Sequence, residues 1–244
     1  MTAPRSIDLP GPPEGLPLAL SDLHASMAVG GTVTVRPTGP EPPIPFEDLL
    51  AAAGFGGQRR PSVPQGPAAW TVERRWALPD TVGPGMRLLL VGLNPSPAAA
   101  ERGYGFAGPG NRFWSAATAA GLVTRPRDRR HALVVDGLGM TDLVKRPTRS
   151  AAELSRDEFA GGMERVEALC AWMAPAVVCF AGLGGYRVAR DRHAGQGPQP
   201  QPLAGVPVYV MGNPSGRNAH TGHDALVGHL RAALALAQGP RTRV

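Results

Sequence analysis

Three polar groups stand where apolar runs stop. The stretch LLLVGLNPSP, Leu88 to Pro97, reads as a buried strand that hands over to an amide at Asn94. GMTDL brings Asp142 to the end of a second run, and GNPSGRN puts Asn213 and Ser215 at the end of a third. A core strand gains nothing from such groups, because burying one without a partner costs free energy. An amide can orient a water molecule but is a poor general base, whereas a carboxylate can assist the water or stabilise a developing cation. Any one of these turns alone reads as structural, with Asn before Pro opening a turn and Asp142 capping one after Thr141. Three on one rim argue against that reading.

The elements that must hold them follow from periodicity. MRLLLVGLN, VDGLGMTDLV, PAVVCFAGL and VPVYVMGN are four apolar strand candidates, and NRFWSAATAAGLV, SRDEFAGGMERVEALCAWMA and TGHDALVGHLRAALALA are helical segments beside them. In the second helix Ser155 and Glu158 form a capping box, and Phe159, Met163, Val166, Leu169 and Met173 keep helical spacing. Strands alternating with helices predict an α/β fold: a three-layer sandwich with a mostly parallel four-stranded central sheet and helices on both faces. Ligands of such sheets bind beyond the carboxyl ends of the strands. Those ends are GLNPSP, GMTDL, GLGGY and GNPSGRN, each with a glycine where the backbone turns or approaches a ligand.

Composition narrows the function classes. The 244 residues carry Gly 32 and Pro 27, crowded toward the N-terminus. Residues 1–68 therefore read as an irregular, Pro/Gly-rich arm with one small helix at FEDLLAAAGF, and residues 69–244 as the functional domain. A net charge of +6, with arginine supplying all the positive charge but Lys145, favours a polyanionic partner. Cys170 and Cys179 sit in apolar surroundings and read as buried small hydrophobes, too few for a cluster or an all-cysteine zinc site. The six histidines show no metal-ligand spacing, and GLGGYRV is neither GxGxxG nor a Walker loop, so no metal and no cofactor is expected. No apolar run approaches the ~18 residues of a membrane span and no signal-peptide core opens the chain, which predicts a cytoplasmic protein with no membrane partner.

GLNPSPAAAERGYGFAGPGNRFW looks like the first motif of the mismatch-specific uracil/thymine-DNA glycosylase family, a branch of the uracil-DNA glycosylase superfamily. GMTDLVKRPT resembles its strand-two motif and GNPSGRN its second catalytic motif, in matching order across roughly Arg87 to Leu234. The arm lies outside the resemblance. The resemblance implies a uracil-DNA glycosylase-like fold and a monomeric, monofunctional enzyme of base excision repair. Its partner would be double-stranded DNA carrying G·U or related mismatches, and it would hydrolyse the N-glycosidic bond of uracil after flipping the nucleotide out.

By the same resemblance, Asn94 positions the attacking water, Phe106 stacks on the flipped pyrimidine, and Gly92 and Ser96 form the base pocket. Ser96 stands where relatives usually have glycine and adds a side chain near the pocket floor. Asn213, Ser215, Gly216 and Arg217 belong to the DNA-gripping loop. Arg217 matches the wedge residue, with contact to the orphaned purine or to a phosphate as alternatives. Asp142 matches a base-contacting position: ionised, it could accept from uracil N3–H or stabilise the sugar cation, and protonated it could donate to a carbonyl. Asn111, Phe113 and Trp114 read as residues that cap and pack the following helix.

Two rivals remain at this level. One is a catalytically silent damaged-DNA or nucleotide-binding module built on the same pocket, against which Asn94 and Asp142 together argue. The other is a nucleotide-metabolising α/β enzyme, disfavoured by the missing phosphate loop and metal motif.

Overall fold

The computed structural model describes residues 5–59, 68–216 and 221–238. Its central sheet contains the four expected strands, β5 (Leu88–Gly92), β6 (Leu138–Asp142), β7 (Val178–Ala181) and β9 (Val208–Met211), with a two-residue edge strand, β8 (Gly197–Pro198), as a fifth. The order is β6-β5-β7-β9-β8, parallel except for β8. The parallel strands therefore deliver all four of their carboxyl ends to one rim.

Side chains alternate between two cores, as the pleat requires. Leu89, Val91, Val178, Phe180, Val208 and Val210 face α6 (Arg156–Met173) and α7 (Leu183–Ala189). Leu88, Leu90, Cys179, Tyr209 and Met211 face α4 (Phe113–Ala119), α5 (Arg129–Val134) and α8 (His223–Ala237). Being buried on both faces explains why these strands read as continuous apolar runs. The capping box of α6 is present: Glu158 N–H donates to Ser155 Oγ at 3.2 Å, and Ser155 N–H donates to Glu158 Oε2 at 2.9 Å. Both cysteines are buried, and burial pushes each thiol up to about 12, which fits the packing role expected of them.

The expectation of an irregular N-terminal arm is corrected. Residues 5–59 contain β1 (Ser6–Leu9), α1 (Leu16–Ser26), β2 (Thr32–Pro37), α2 (Phe46–Ala52) and β3 (Phe55–Arg59). They join β4 (Trp70–Arg74) in a second sheet of order β1-β2-β4-β3, so the sheet draws strands from both sides of the division expected at residue 68. Leu20, Val33, Val35, Phe46, Leu49, Phe55, Trp70 and Val72 form its core. The prolines fall in places that cost little. Pro10, Pro12, Pro40, Pro42, Pro43 and Pro45 lie in connections, and Pro17 sits in the first turn of α1, where a missing N–H has no acceptor to lose.

The two sheets are held together by side chains as well as by chain connectivity. Arg129 on α5 donates to Ser21 Oγ at 2.7 Å and to the Ser21 carbonyl at 3.2 Å on α1, and Trp172 packs against both cores.

Candidate active site

The rim of the parallel sheet opens into a cavity of about 490 Å³. Gly92, Asn94, Ser96, Phe106, Asp142, Asn213 and Ser215 all line it, so residues drawn from three separate stretches of chain meet in one place. Gly216 is not among the lining residues; it packs against Gly110, where a side chain would run into the Gly110 carbonyl. Arg217 lies outside the described residues.

Asn94 is held in one orientation. Its Nδ2 donates to the carbonyls of Pro95 (3.2 Å) and Arg146 (3.1 Å) and to Thr148 Oγ1 (2.7 Å). Carbonyl oxygens only accept, which fixes which end of the amide is nitrogen. Thr148 Oγ1 donates its own proton to the Ser150 carbonyl at 2.8 Å, leaving a lone pair for Asn94. Asn94 Oδ1 makes no hydrogen bond among the described residues and remains as an acceptor at the cavity wall. The segment that supplies these partners docks on the strand end through Thr148 N–H to the Pro95 carbonyl, at 3.1 Å.

Asp142 ends β6 directly beside Gly92, its register partner on β5. Its carboxylate is buried and makes no hydrogen bond among the described residues. Burial raises the group to about 6, with Asp80 adding to the rise and Lys145 and Arg165 opposing it. Beneath it lies a buried ionic cluster. Asp80 accepts from Lys145 Nζ at 2.6 Å, Arg165 Nη1 at 2.8 Å and Thr141 Oγ1 at 2.7 Å. Arg165 also donates to the Asp142 carbonyl. Burial alone would push Asp80 up, but the two cations and these hydrogen bonds hold its carboxyl below the usual range. The backbone at Asp142 is thus fixed from below while its carboxylate faces the cavity.

Phe106 occupies the left-handed region with φ 59, an unusual backbone for a bulky side chain that costs roughly 1–3 kcal/mol and clusters at functional sites. Its half-buried ring packs on Phe113 at 4.5 Å between centroids. The loop carrying it is pinned at both flanks, by Trp114 Nε1 to the Gly105 carbonyl (2.9 Å) and Arg102 Nη1 to the Ala107 carbonyl (2.7 Å). The Phe106 N–H has no acceptor among the described residues. Asn111 Oδ1 accepts from Phe113 N–H at 2.9 Å while Phe113 and Trp114 are buried, the capping and packing roles expected of them.

Ser96 reaches the cavity but also caps α3 (Pro97–Arg102), accepting from Ala99 N–H at 3.2 Å. Asn213 Oδ1 accepts from Ser215 N–H at 2.9 Å, closing the last loop on itself, and Arg112 ties that loop to the Phe106 loop through the carbonyls of Pro214 and Ser215.

Thr148, Asp80, Lys145 and Arg165 escaped the sequence reading. Thr148 and Lys145 lie within GMTDLVKRPT, the stretch that resembles the strand-two motif, so their nearness to Asp142 was a usable signal. Asp80 and Arg165 are 85 positions apart and nothing local marks them as partners. Among the described residues no group of three His, Cys, Asp or Glu could hold a metal ion, and no helix is long and apolar enough to cross a membrane.

The model of the uracil DNA glycosylase superfamily matches residues 79–235. Among solved structures, the chain is similar to a Methanosarcina acetivorans protein, determined by solution NMR and described as a candidate uracil DNA glycosylase. The two are 19% identical with a TM-score of 0.43, over 67% of this chain and 98% of that one.

Proposed function

This chain belongs to the uracil DNA glycosylase superfamily, and we propose that it is a monofunctional DNA glycosylase that flips uracil out of G·U and related mismatches and hydrolyses its N-glycosidic bond. The observation that carries the reading is the pairing, in one cavity, of an amide oxygen left without a donor at Asn94 and a buried carboxyl at Asp142.

In this mechanism Asn94 Oδ1 accepts a hydrogen bond from a water and aims its oxygen at C1′ of the deoxyribose. The water oxygen–C1′ bond forms as the C1′–N1 bond breaks, and the bonding pair leaves with the pyrimidine. Asp142, raised to about 6, is ionised above that pH; it stabilises the cationic sugar and takes the water's proton, a task an amide performs poorly. The pyrimidine anion then takes a proton from solvent. Phe106 offers its ring face to the flipped base and its N–H to a base carbonyl, the donor an anionic leaving group needs.

Flipping costs a few kcal/mol and least at a mismatch, which favours mispaired substrates. Asn213, Ser215 and Gly216 hold the backbone of the flipped nucleotide, and Arg217 fills the gap it leaves in the stack. The Ser96 hydroxyl accepts from Ala99 N–H in its helix cap, so it narrows the pocket floor while its own proton remains available to the base.

The test is base release by the full chain at enzyme excess from duplexes containing uracil, thymine or xanthine opposite each normal base. Uracil release, fastest opposite guanine, supports the proposal. Tight binding of the same duplexes with no base released would instead mean a silent damage-binding module.

A further inference from the structure

On the outer side of the loop that carries Phe106 lies a second cavity, of about 240 Å³, which shares Phe106, Gly108, Pro109 and Asn111 with the first. Its floor includes Tyr104 and Trp114, and Arg102 and Arg127 lie on its lining, with no carboxylate among its lining residues. Arg102 is committed on one side to the Ala107 carbonyl. Arg127 is different: it is exposed, and its guanidinium has no hydrogen bond or ion pair among the described residues. The neighbouring Asp128 does not neutralise it, since that carboxylate caps α5 through His131 N–H at 2.9 Å and pairs with Arg125 at 3.5 Å. Arg127 also has φ 64, so the turn holds this cation in a backbone conformation that L residues rarely adopt.

We propose that this groove is a subsite for the phosphodiester flanking the flipped nucleotide, with Arg127 as its principal anion contact and Arg102 beside it. The inference rests on the glycosylase reading above. The two cavities share the wall formed by this loop, which gives a strand whose nucleotide enters the first cavity a path into the groove, and the groove's lining presents positive charge with no carboxylate. Arginine suits such a site because its fork of donors matches phosphate oxygens.

The experiment measures binding of the full-length protein to an abasic-site duplex by fluorescence anisotropy at several salt concentrations, beside uracil release at saturating protein. Arg127→Ala is expected to weaken binding about three- to tenfold and to reduce the slope of log affinity against log salt by about 0.9, the signature of one lost phosphate contact. Arg127→Glu should lose more, and saturated release should stay within about twofold of wild type. Arg125→Ala, two residues away and outside the groove, should leave the slope unchanged. Unaltered affinity and slope in Arg127→Ala, with wild type binding and releasing uracil, overturns the subsite alone. Equal losses in the Arg125 and Arg127 variants overturn it too, by showing a diffuse field. A wild-type protein that neither binds nor releases overturns the glycosylase reading, and the subsite with it.

Discussion

Gly92 and Asp142 face each other across the β5–β6 pair so closely that a methyl group on Gly92 would overlap Asp142 Oδ1. Glycine is required there by the neighbouring carboxylate, since the φ of Gly92 is not positive. Gly92→Ala should therefore displace the Asp142 side chain. Overpacking of this kind costs about 1–3 kcal/mol, or roughly 2–12 °C of melting temperature in a protein of this size, and uracil release should fall by at least about tenfold. Thermal unfolding beside a release assay checks both; unchanged release would mean that the position of Asp142 does not matter to the reaction.

Thr148 orients Asn94 by accepting from its Nδ2 at 2.7 Å. Thr148→Val keeps the shape and removes the acceptor, so uracil release should drop about five- to twentyfold, while Thr148→Ser should restore it to within about threefold. Because the serine variant keeps the hydroxyl, a comparable loss in both variants would assign Thr148 to packing alone.

The raised carboxyl of Asp142 has a sign that can be tested through stability. Its folded value is about 6, above the ~3.9 of a free aspartate, so between these values the native state holds a proton that the unfolded chain lacks. Its contribution is present below about pH 4 and is lost as pH rises through about 6. His24, lowered to about 4 chiefly by burial, acts oppositely in the same window, so wild type must be compared with Asp142→Asn. Relative to that variant, wild type should lose on the order of 3 kcal/mol between pH 4 and 6. Parallel stability curves for the two proteins would mean that Asp142 is not raised.

Activity should depend on the same group. Asp80 raises Asp142, whereas Lys145 and Arg165, both paired with Asp80, lower it. Uracil release should rise through about pH 6 in wild type, and in Asp80→Asn the inflection should move to lower pH. A fall in rate with no movement of the inflection would limit Asp80 to holding the fold.

What was legible in the sequence follows from how locally it is encoded. The four core strands and α6 declared themselves because burial on two faces and helical spacing are written in consecutive residues. Asn94, Asp142 and Asn213 stood out because each is polar where an apolar run ends. The first sheet did not declare itself: its strands are only partly buried and so lack continuous apolar runs, and the prolines that separate them dominate any local reading. Nor did the Asp80–Arg165 pair, because an ionic contact across 85 positions leaves no local trace. Phe106 was reached through resemblance, whereas its left-handed backbone is visible only in three dimensions.

The most direct measurement compares wild type with Asn94→Ala in single-turnover release of uracil from a G·U duplex at saturating protein, beside affinity for the abasic product duplex. Asn94 aims its oxygen at the reacting water and touches no phosphate in the proposed mechanism. Release should therefore slow by at least about tenfold while product affinity stays within about twofold. Release at the wild-type rate, or equal losses in rate and affinity, would contradict the assignment of this cavity's amide to water positioning.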